Sequence, residues 1–310
     1  MLAYIQHRSG RAVSLPHSGA TYGEWSQSLE RLSRLEEISS TEAYWEARLP
    51  ANPPRLRRDF DGPNRSGDTA SLERRLTTKL SKQLLALTSA DTGARLNEVL
   101  LAALAPALQR LSHDSRCWVE TDWHGRGGAV DGSSYGRTVG WFSCSYPVLV
   151  ELDAAGSAET VLERVQRELR GVPQQGASFG LLRYLDERTG GPRERWRERP
   201  QPETLFQYLG RLEGGSDGTS PIVRAPEAGG PLHDPDGELP HLLRITTALV
   251  DAEIQIWIQY SDQIYQHETI EILADEMVRG LEQIAGGEAT ASAEHPLEPR
   301  ASTTHRANEP

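Results

Sequence analysis

The chain has 310 residues, 37% of them apolar and 25% charged, enough for two compact lobes with a sizeable core. Its formal net charge of −11 gives no electrostatic case for binding nucleic acid or an anionic membrane. No apolar run approaches membrane-spanning length, and the opening residues lack a charged stretch followed by an apolar one, so a soluble, cytoplasmic protein is expected.

Tyr22, Trp25 and Leu29 fall at helical spacing, and Glu42 to Leu49 forms a second amphipathic piece. Residues 1–50 therefore read as helical. Residues 51–68, rich in Pro, Gly, Arg and Asp, read as a linker. Order returns at Thr69, with a strand over Ala70 to Leu76 and a helix from Lys79 to Ser89. Leu96 to Leu111 is almost continuously apolar, which predicts a helix buried on all sides. Cys117 to Asp122 and Val139 to Glu151 read as strands, separated by a turn region from Gly125 to Gly136. Ser157 to Arg170 is a patterned helix that stops before Pro173.

Arg183 to Gln201 is crowded with Arg, Glu, Gly and Pro and reads as a solvated loop. Leu205 to Leu209 predicts a short strand. His241 to Val250 and Ile254 to Tyr260 predict two strands joined by a tight Asp251-Ala252 turn. A last helix runs from about Thr269 to Ala285, and residues 287–310 have the composition of a disordered tail. The two cysteines, Cys117 and Cys144, lie in apolar strand-like runs with no CxxC pair or nearby His. They read as buried free thiols and suggest no metal. The fold class is α/β, a mixed sheet with flanking helices.

A series of segments then comes in a fixed order: Leu96-Asn97-Glu98-Val99-Leu100-Leu101; Asp122-Trp123-His124-Gly125-Arg126-Gly127; Arg137-Thr138-Val139-Gly140-Trp141-Phe142 with Tyr146-Pro147-Val148; Val172-Pro173 through Gly176 with Phe179-Gly180; and Phe206-Gln207-Tyr208-Leu209-Gly210. Together they resemble the signature motifs of the epimerisation and condensation domains of nonribosomal peptide synthetases, over roughly Met1 to Ala285. Tyr4, Leu15-Pro16, Trp25 and Tyr44-Trp45 are similar to the stretch just after the family's His-His-x-x-x-Asp-Gly motif. That motif has no counterpart in these residues. His233-Asp234-Pro235-Asp236-Gly237 has one His and the wrong spacing.

The resemblance implies a chloramphenicol-acetyltransferase-like fold. This chain would provide the C-terminal lobe (residues 69–286) and the tail end of the N-terminal one (1–50). It also implies inversion at Cα of an aminoacyl or peptidyl thioester, inactive in this chain alone because the double-His motif is missing. Peptide-bond formation and a non-catalytic carrier-binding module are the alternatives. The implied partners are a peptidyl carrier protein, whose phosphopantetheine presents the substrate, and an N-terminal lobe on another chain. No bound cofactor or metal is implied. The missing lobe would leave a bare surface edged by the Phe206 to Leu209 strand and the loop between Gly210 and Leu242.

Inverting Cα needs a base on one face and a proton donor on the other. The base is a carboxylate whose charge is destabilised by desolvation, and donors stabilise the enolate. Asp122 stands where the family has Glu, with its carboxylate about 1.5 Å further back. It is either that base or a strand-end Asp bonding turn amides. Trp123 adds bulk where the family has Gly. His124 is either an acid–base group or the residue that orients the turn. Arg126 is expected to pair with a carboxylate. Trp141, Phe142 and Tyr146 read as core and tunnel wall, with Trp141 and Phe142 in one core with the Leu96 to Leu111 helix. Gln207 offers an amide to an enolate oxygen. Tyr208 is either a proton relay or a packed strand residue. The Arg183 to Arg199 stretch would dock an acidic carrier or simply be solvated.

Overall fold

The structure is a computed structural model that describes residues 2–15, 19–88, 93–126, 135–153, 156–212 and 233–286. Their elements are α1 (Leu2–Arg8), α2 (Tyr22–Ser33), α3 (Glu36–Ser39), α4 (Glu42–Glu46), β1 (Thr69–Arg75), α5 (Thr78–Ala86), α6 (Leu96–Ser112), β2 (Arg116–Trp123), β3 (Cys144–Glu151), α7 (Ala158–Arg170), α8 (Ala177–Gly180), α9 (Pro192–Arg195), β4 (Thr204–Leu212), β5 (Leu243–Val250), β6 (Glu253–Ser261) and α10 (His267–Gly286). The chain divides into two units. One comprises residues 1–46, 122–146 and 173–198, the other residues 47–121, 147–172 and 199 onward. The expected tail, and most of the loop between Gly210 and Leu242, lie outside the described residues.

In the second unit the strands form one mixed sheet, in the order β1-β6-β5-β4-β2-β3. The β5–β6 hairpin turns through Asp251 and Ala252, both left-handed (φ 48° and 68°), as a two-residue turn matching the strand twist requires. β4 pairs with β5 and β2 on either side, both in parallel. The Phe206 to Leu209 strand is therefore internal, not the edge of a bare surface; the edges are β1 and β3.

Side chains alternate between the two faces of the sheet. On β1, Arg74 reaches α10, its Nε donating to Asp275 at 3.1 Å. On β6, Tyr260 Oη lies 2.9 Å from His267 Nδ1 of the same helix. Register carries that helix-covered face across the sheet, from Ile258 to Ile245, Phe206 and Thr121. Glu120, Leu205 and Gln207 consequently stand on the opposite face.

α6 is the centre of the helical layer, with Leu96 and Val99 through Ala105 all buried. α10 crosses it so closely that a Cβ on Gly280 would lie 3.1 Å from the Ala103 backbone. The one charged group α6 buries, Glu98, accepts from Arg170 of α7 at 2.8 and 2.9 Å and from the Arg95 amide at 2.9 Å. Burial pushes the Glu98 carboxyl up, but those hydrogen bonds outweigh it and hold the group below the ordinary carboxylate range.

In the first unit the expected solvated loop, Arg183 to Gln201, is instead built into the fold through residue 198. Trp196 is fully buried and stacks on Phe179 with ring centroids 5.9 Å apart. Asp186 is 5% exposed and accepts from Arg188, whose other nitrogen donates to Glu42 at 2.9 Å. Arg195 pairs with Glu42 and with Glu46, and the Trp196 indole donates to Glu46 at 2.8 Å. The charges of this segment look self-neutralising in sequence. Their partners come largely from α4, which local composition does not show.

Candidate functional site

β2 delivers the Asp122 to Arg126 segment, and packing within the first unit fixes the turn at its end. Gly125 is left-handed (φ 64°), and a Cβ there would overlap the Phe142 carbonyl at 1.8 Å, so the turn requires glycine. His124 is exposed. Its Nδ1 accepts from the Arg126 amide at 3.0 Å, and its ring lies 4.5 Å from that of Trp123. That contact is turn-orienting in kind.

The described partners of Arg126 are carbonyls, not the expected carboxylate. Its guanidinium donates to Tyr135 at 2.8 Å, Thr138 at 2.7 Å and Gly140 at 3.0 Å, and stacks 4.4 Å above the Phe142 ring. A planar fork of donors suits carbonyls that diverge around a loop. Those carbonyls are thereby withdrawn from any strand ladder, and β3 begins at Cys144 rather than Val139.

The same loop separates the expected core pair. Phe142 is 2% exposed, with ring centroids 4.8 Å from Trp25, 5.3 Å from Tyr22 and 5.7 Å from Tyr135. Trp141 is 77% exposed and Val139 94%. The loop is tied down through one of its carbonyls and one of its hydroxyls. Tyr22 Oη donates to the Trp141 carbonyl at 3.1 Å and Thr138 Oγ1 to the Ala20 carbonyl at 2.5 Å. The expectation that Trp141 and Phe142 share a core with the Leu96 to Leu111 helix is therefore wrong. Trp141 is not in a core, and the ring partners of Phe142 all come from its own unit.

Asp122 is half-buried near the end of β2. Its charge reaches the Cys144 thiol, which burial first and Asp122 second push up to about 11. The thiol, 3.7 Å from the Gln175 carbonyl, is half-buried rather than buried as expected, while Cys117 is fully enclosed and pushed up to about 12. Tyr146 is buried against Trp45 at 6.0 Å and over Gly176, where a Cβ would lie 2.0 Å from its ring.

In the second unit, Gln207 and Tyr208 are neighbours on β4 and point to opposite faces, so one strand cannot give both to one site. Tyr208 stands on the helix-covered face. Burial pushes its hydroxyl up, with Arg211 pulling the other way. Gln207 stands on the far face, its carbonyl accepting from Thr247 at 3.0 Å. That face also carries a pair that motif reading missed. His241 Nε2 lies 3.4 Å from Glu120 Oε2, with the side chains 9% and 21% exposed. Only the pairing of β2 beside β4, and the placement of residue 241 just ahead of β5, bring these two together. Among the described residues no group of three or more His, Cys, Asp or Glu is arranged to hold a metal ion, and no helix is long and apolar enough to cross a membrane.

Residues 1–303 match the family model described as Condensation domain. A subunit of the linear gramicidin synthase of Brevibacillus parabrevis is 30% identical over 295 residues, which cover 94% of this chain and 4% of that protein. The crystal structure of the epimerization domain from the third module of tyrocidine synthetase B superposes with a TM-score of 0.82 at 28% identity, covering 92% of this chain and 63% of that one. The first condensation domain of the calcium-dependent antibiotic synthetase, in complex with a substrate analogue, gives 0.63 at 19% identity, covering 93% and 60%. The chain thus spans a small fraction of the curated relative and less than two thirds of each solved domain.

Proposed function

The chain belongs to the condensation-domain family of nonribosomal peptide synthetases, and we propose that it carries an epimerisation-type site acting on Cα of an aminoacyl or peptidyl thioester. The observation that carries this reading is the difference between the two structural likenesses. The TM-score is 0.82 to a domain described as epimerising and 0.63 to one described as condensing. In this reading, as the family resemblance implies, the substrate arrives on the phosphopantetheine of a carrier domain.

In this reading Asp122 is the base. A thioester Cα–H is a weak acid, so the carboxylate must be poorly solvated and the enolate must meet a donor. The half-burial of Asp122 suits the first requirement. His124 orients the turn through the Arg126 amide. Tyr208 is a packed strand residue. An Asp in place of Glu shortens the reach by about 1.5 Å. If the backbone does not compensate, the rate falls on the order of 100-fold.

Incubation with a loaded carrier in deuterated water tests this, in the presence of a homologous lobe that contains the His-His-x-x-x-Asp-Gly motif. Deuterium should appear at Cα and disappear with Asp122→Asn. Peptide-bond formation between two loaded carriers without Cα exchange would assign the chain to condensation instead.

A further inference from the structure

We propose that Val139 and Trp141 anchor a docking surface for the lobe of a condensation-family domain that bears the His-His-x-x-x-Asp-Gly motif, which these residues do not contain. The surface rests on the family assignment, and it gives the proposed reaction the partner it needs.

Val139 is 94% exposed and Trp141, two residues on, is 77% exposed, while Phe142 beside them is 2% exposed. Arg137, at the start of the stretch, is exposed too. The ring of Tyr22, 42% exposed, adjoins Gly140, where a Cβ would lie 2.4 Å from it. The patch lies wholly within the first unit. Exposed apolar clusters on a soluble chain mark binding sites, and tryptophan is prominent among the residues whose truncation weakens a protein contact most. With Arg137 at its edge, the patch has the apolar centre and polar rim of a protein interface.

Apolar side chains left in water contribute little to the fold, yet this stretch is held in one arrangement. Arg126 donates to the Thr138 and Gly140 carbonyls at 2.7 and 3.0 Å, and Tyr22 Oη to the Trp141 carbonyl at 3.1 Å. The Thr138 hydroxyl donates to the Ala20 carbonyl. At residue 140 any side chain larger than a hydrogen would displace Tyr22. A surface whose anchors are ordered beforehand loses less conformational freedom when a partner arrives.

The occupant follows from what the superposition leaves over. The tyrocidine synthetase B domain matches 92% of this chain, but the match covers only 63% of that domain. More than a third of it has no counterpart in these residues, and a compact domain packs its parts around a common core. An apolar anchor suits that permanent partner. Lasting contacts are more hydrophobic than those of partners that come and go, as a substrate carrier must. A second copy is opposed by charge, since a formal net charge of −11 sets copies to repel one another.

The test titrates the full chain, labelled with 5-fluorotryptophan, with a homologous lobe that contains the double-His motif. Comparison with Trp141→Ala identifies the Trp141 fluorine signal, which should shift as the lobe binds. Trp141→Ala should weaken binding on the order of 30-fold, and Val139→Ser roughly 5-fold. Neither exposed side chain supports the fold, so the melting temperature of the chain alone should hold in both variants, which separates lost docking from lost folding. A lobe that does not bind the unaltered chain, equal binding by Trp141→Ala, or an unmoved fluorine signal would overturn the proposal. So would a Trp141 signal that moves with protein concentration alone, which makes a second copy the occupant, or one that moves on adding only a phosphopantetheine-bearing carrier. Docking and chemistry can fail separately. A lobe that docks through Trp141 but gives no Cα exchange leaves this surface standing and removes the epimerisation reading. Cα exchange in a mixture whose lobe binds Trp141→Ala as tightly as the unaltered chain removes only the surface.

Discussion

Two apolar runs, Leu96 to Leu108 in α6 and Val139 to Phe142 in the loop before β3, meet opposite fates. The first is buried along nearly its whole length, because a helix satisfies its own backbone and is free to place every side chain in a core. The second has no ladder of its own. Arg126 and Tyr22 hold its carbonyls and the Thr138 hydroxyl donates to Ala20, and together they admit Phe142 to the ring cluster while leaving Val139 and Trp141 outside. Burial of an apolar run is decided by what satisfies its carbonyls, and apolarity alone does not decide it.

The sharpest way to test this contrast is Phe142→Ala. The side chain is 2% exposed among three rings, so truncation should cost about 3–5 kcal/mol in urea unfolding. A loss under about 1 kcal/mol would mean the ring cluster is not a core.

Arg126→Lys comes next. An ammonium cannot reach three diverging carbonyls and cover a ring as the guanidinium does. Hydrogen bonds from charged donors contribute about 1.5–3 kcal/mol each where they are well enclosed. Arg126 is only half-buried and Lys keeps part of the set, so a loss of about 2 kcal/mol is expected. Faster amide exchange across residues 135–142 should accompany it. Equal stability of Arg126→Lys and the unaltered chain would show that the loop holds itself.

α6 offers the matching test of its one buried charge. Glu98 is held below the ordinary carboxylate range, so its folded-state value lies under its unfolded one. The stabilisation is fully present above the unfolded value and is lost as pH falls through the folded one. Glu98→Gln should therefore cost about 1–2 kcal/mol at neutral pH, with Arg170 partly solvent-screened, and the gap should close on acidification. A gap independent of pH between neutrality and about pH 3 would contradict the ion pair.

These contrasts also say what could be read from the residues alone. The strands at Ala70, Cys117, Leu205, His241 and Ile254, and the helices at Tyr22, Leu96, Ser157 and Thr269, announce themselves by periodicity, and the structure has an element at each. The motif around Asp122 was legible as a string. What it touches was not, because the partners of Arg126 are carbonyls, and every residue has a carbonyl. The Arg183 to Gln201 segment reads as solvated in sequence for a related reason: Glu42 and Glu46 neutralise its charges from another part of the chain. Glu120 and His241 were invisible as a pair, since only the parallel pairing beside β4 aligns them.

The smallest effect belongs to Trp141. Its side chain is 77% exposed, and what fixes the residue is its carbonyl, which accepts from Tyr22 Oη at 3.1 Å. Trp141→Ala keeps that bond and removes little buried area, so stability should stay within about 0.5 kcal/mol of the unaltered chain. A large aromatic beside a core phenylalanine would ordinarily be expected to cost several times that. Fluorescence supplies an independent readout, because Trp45 and Trp196 are fully enclosed and Trp118 is 6% exposed. Acrylamide should quench Trp141 well ahead of these, and Trp141→Ala should remove the most accessible component of the emission while the melting temperature holds. A loss above about 1.5 kcal/mol, the scale of a buried aromatic contact, would place Trp141 in the core after all. The hydrogen bonds of Arg126, Tyr22 and Thr138 would then not be all that holds the loop, and the contrast with α6 would collapse.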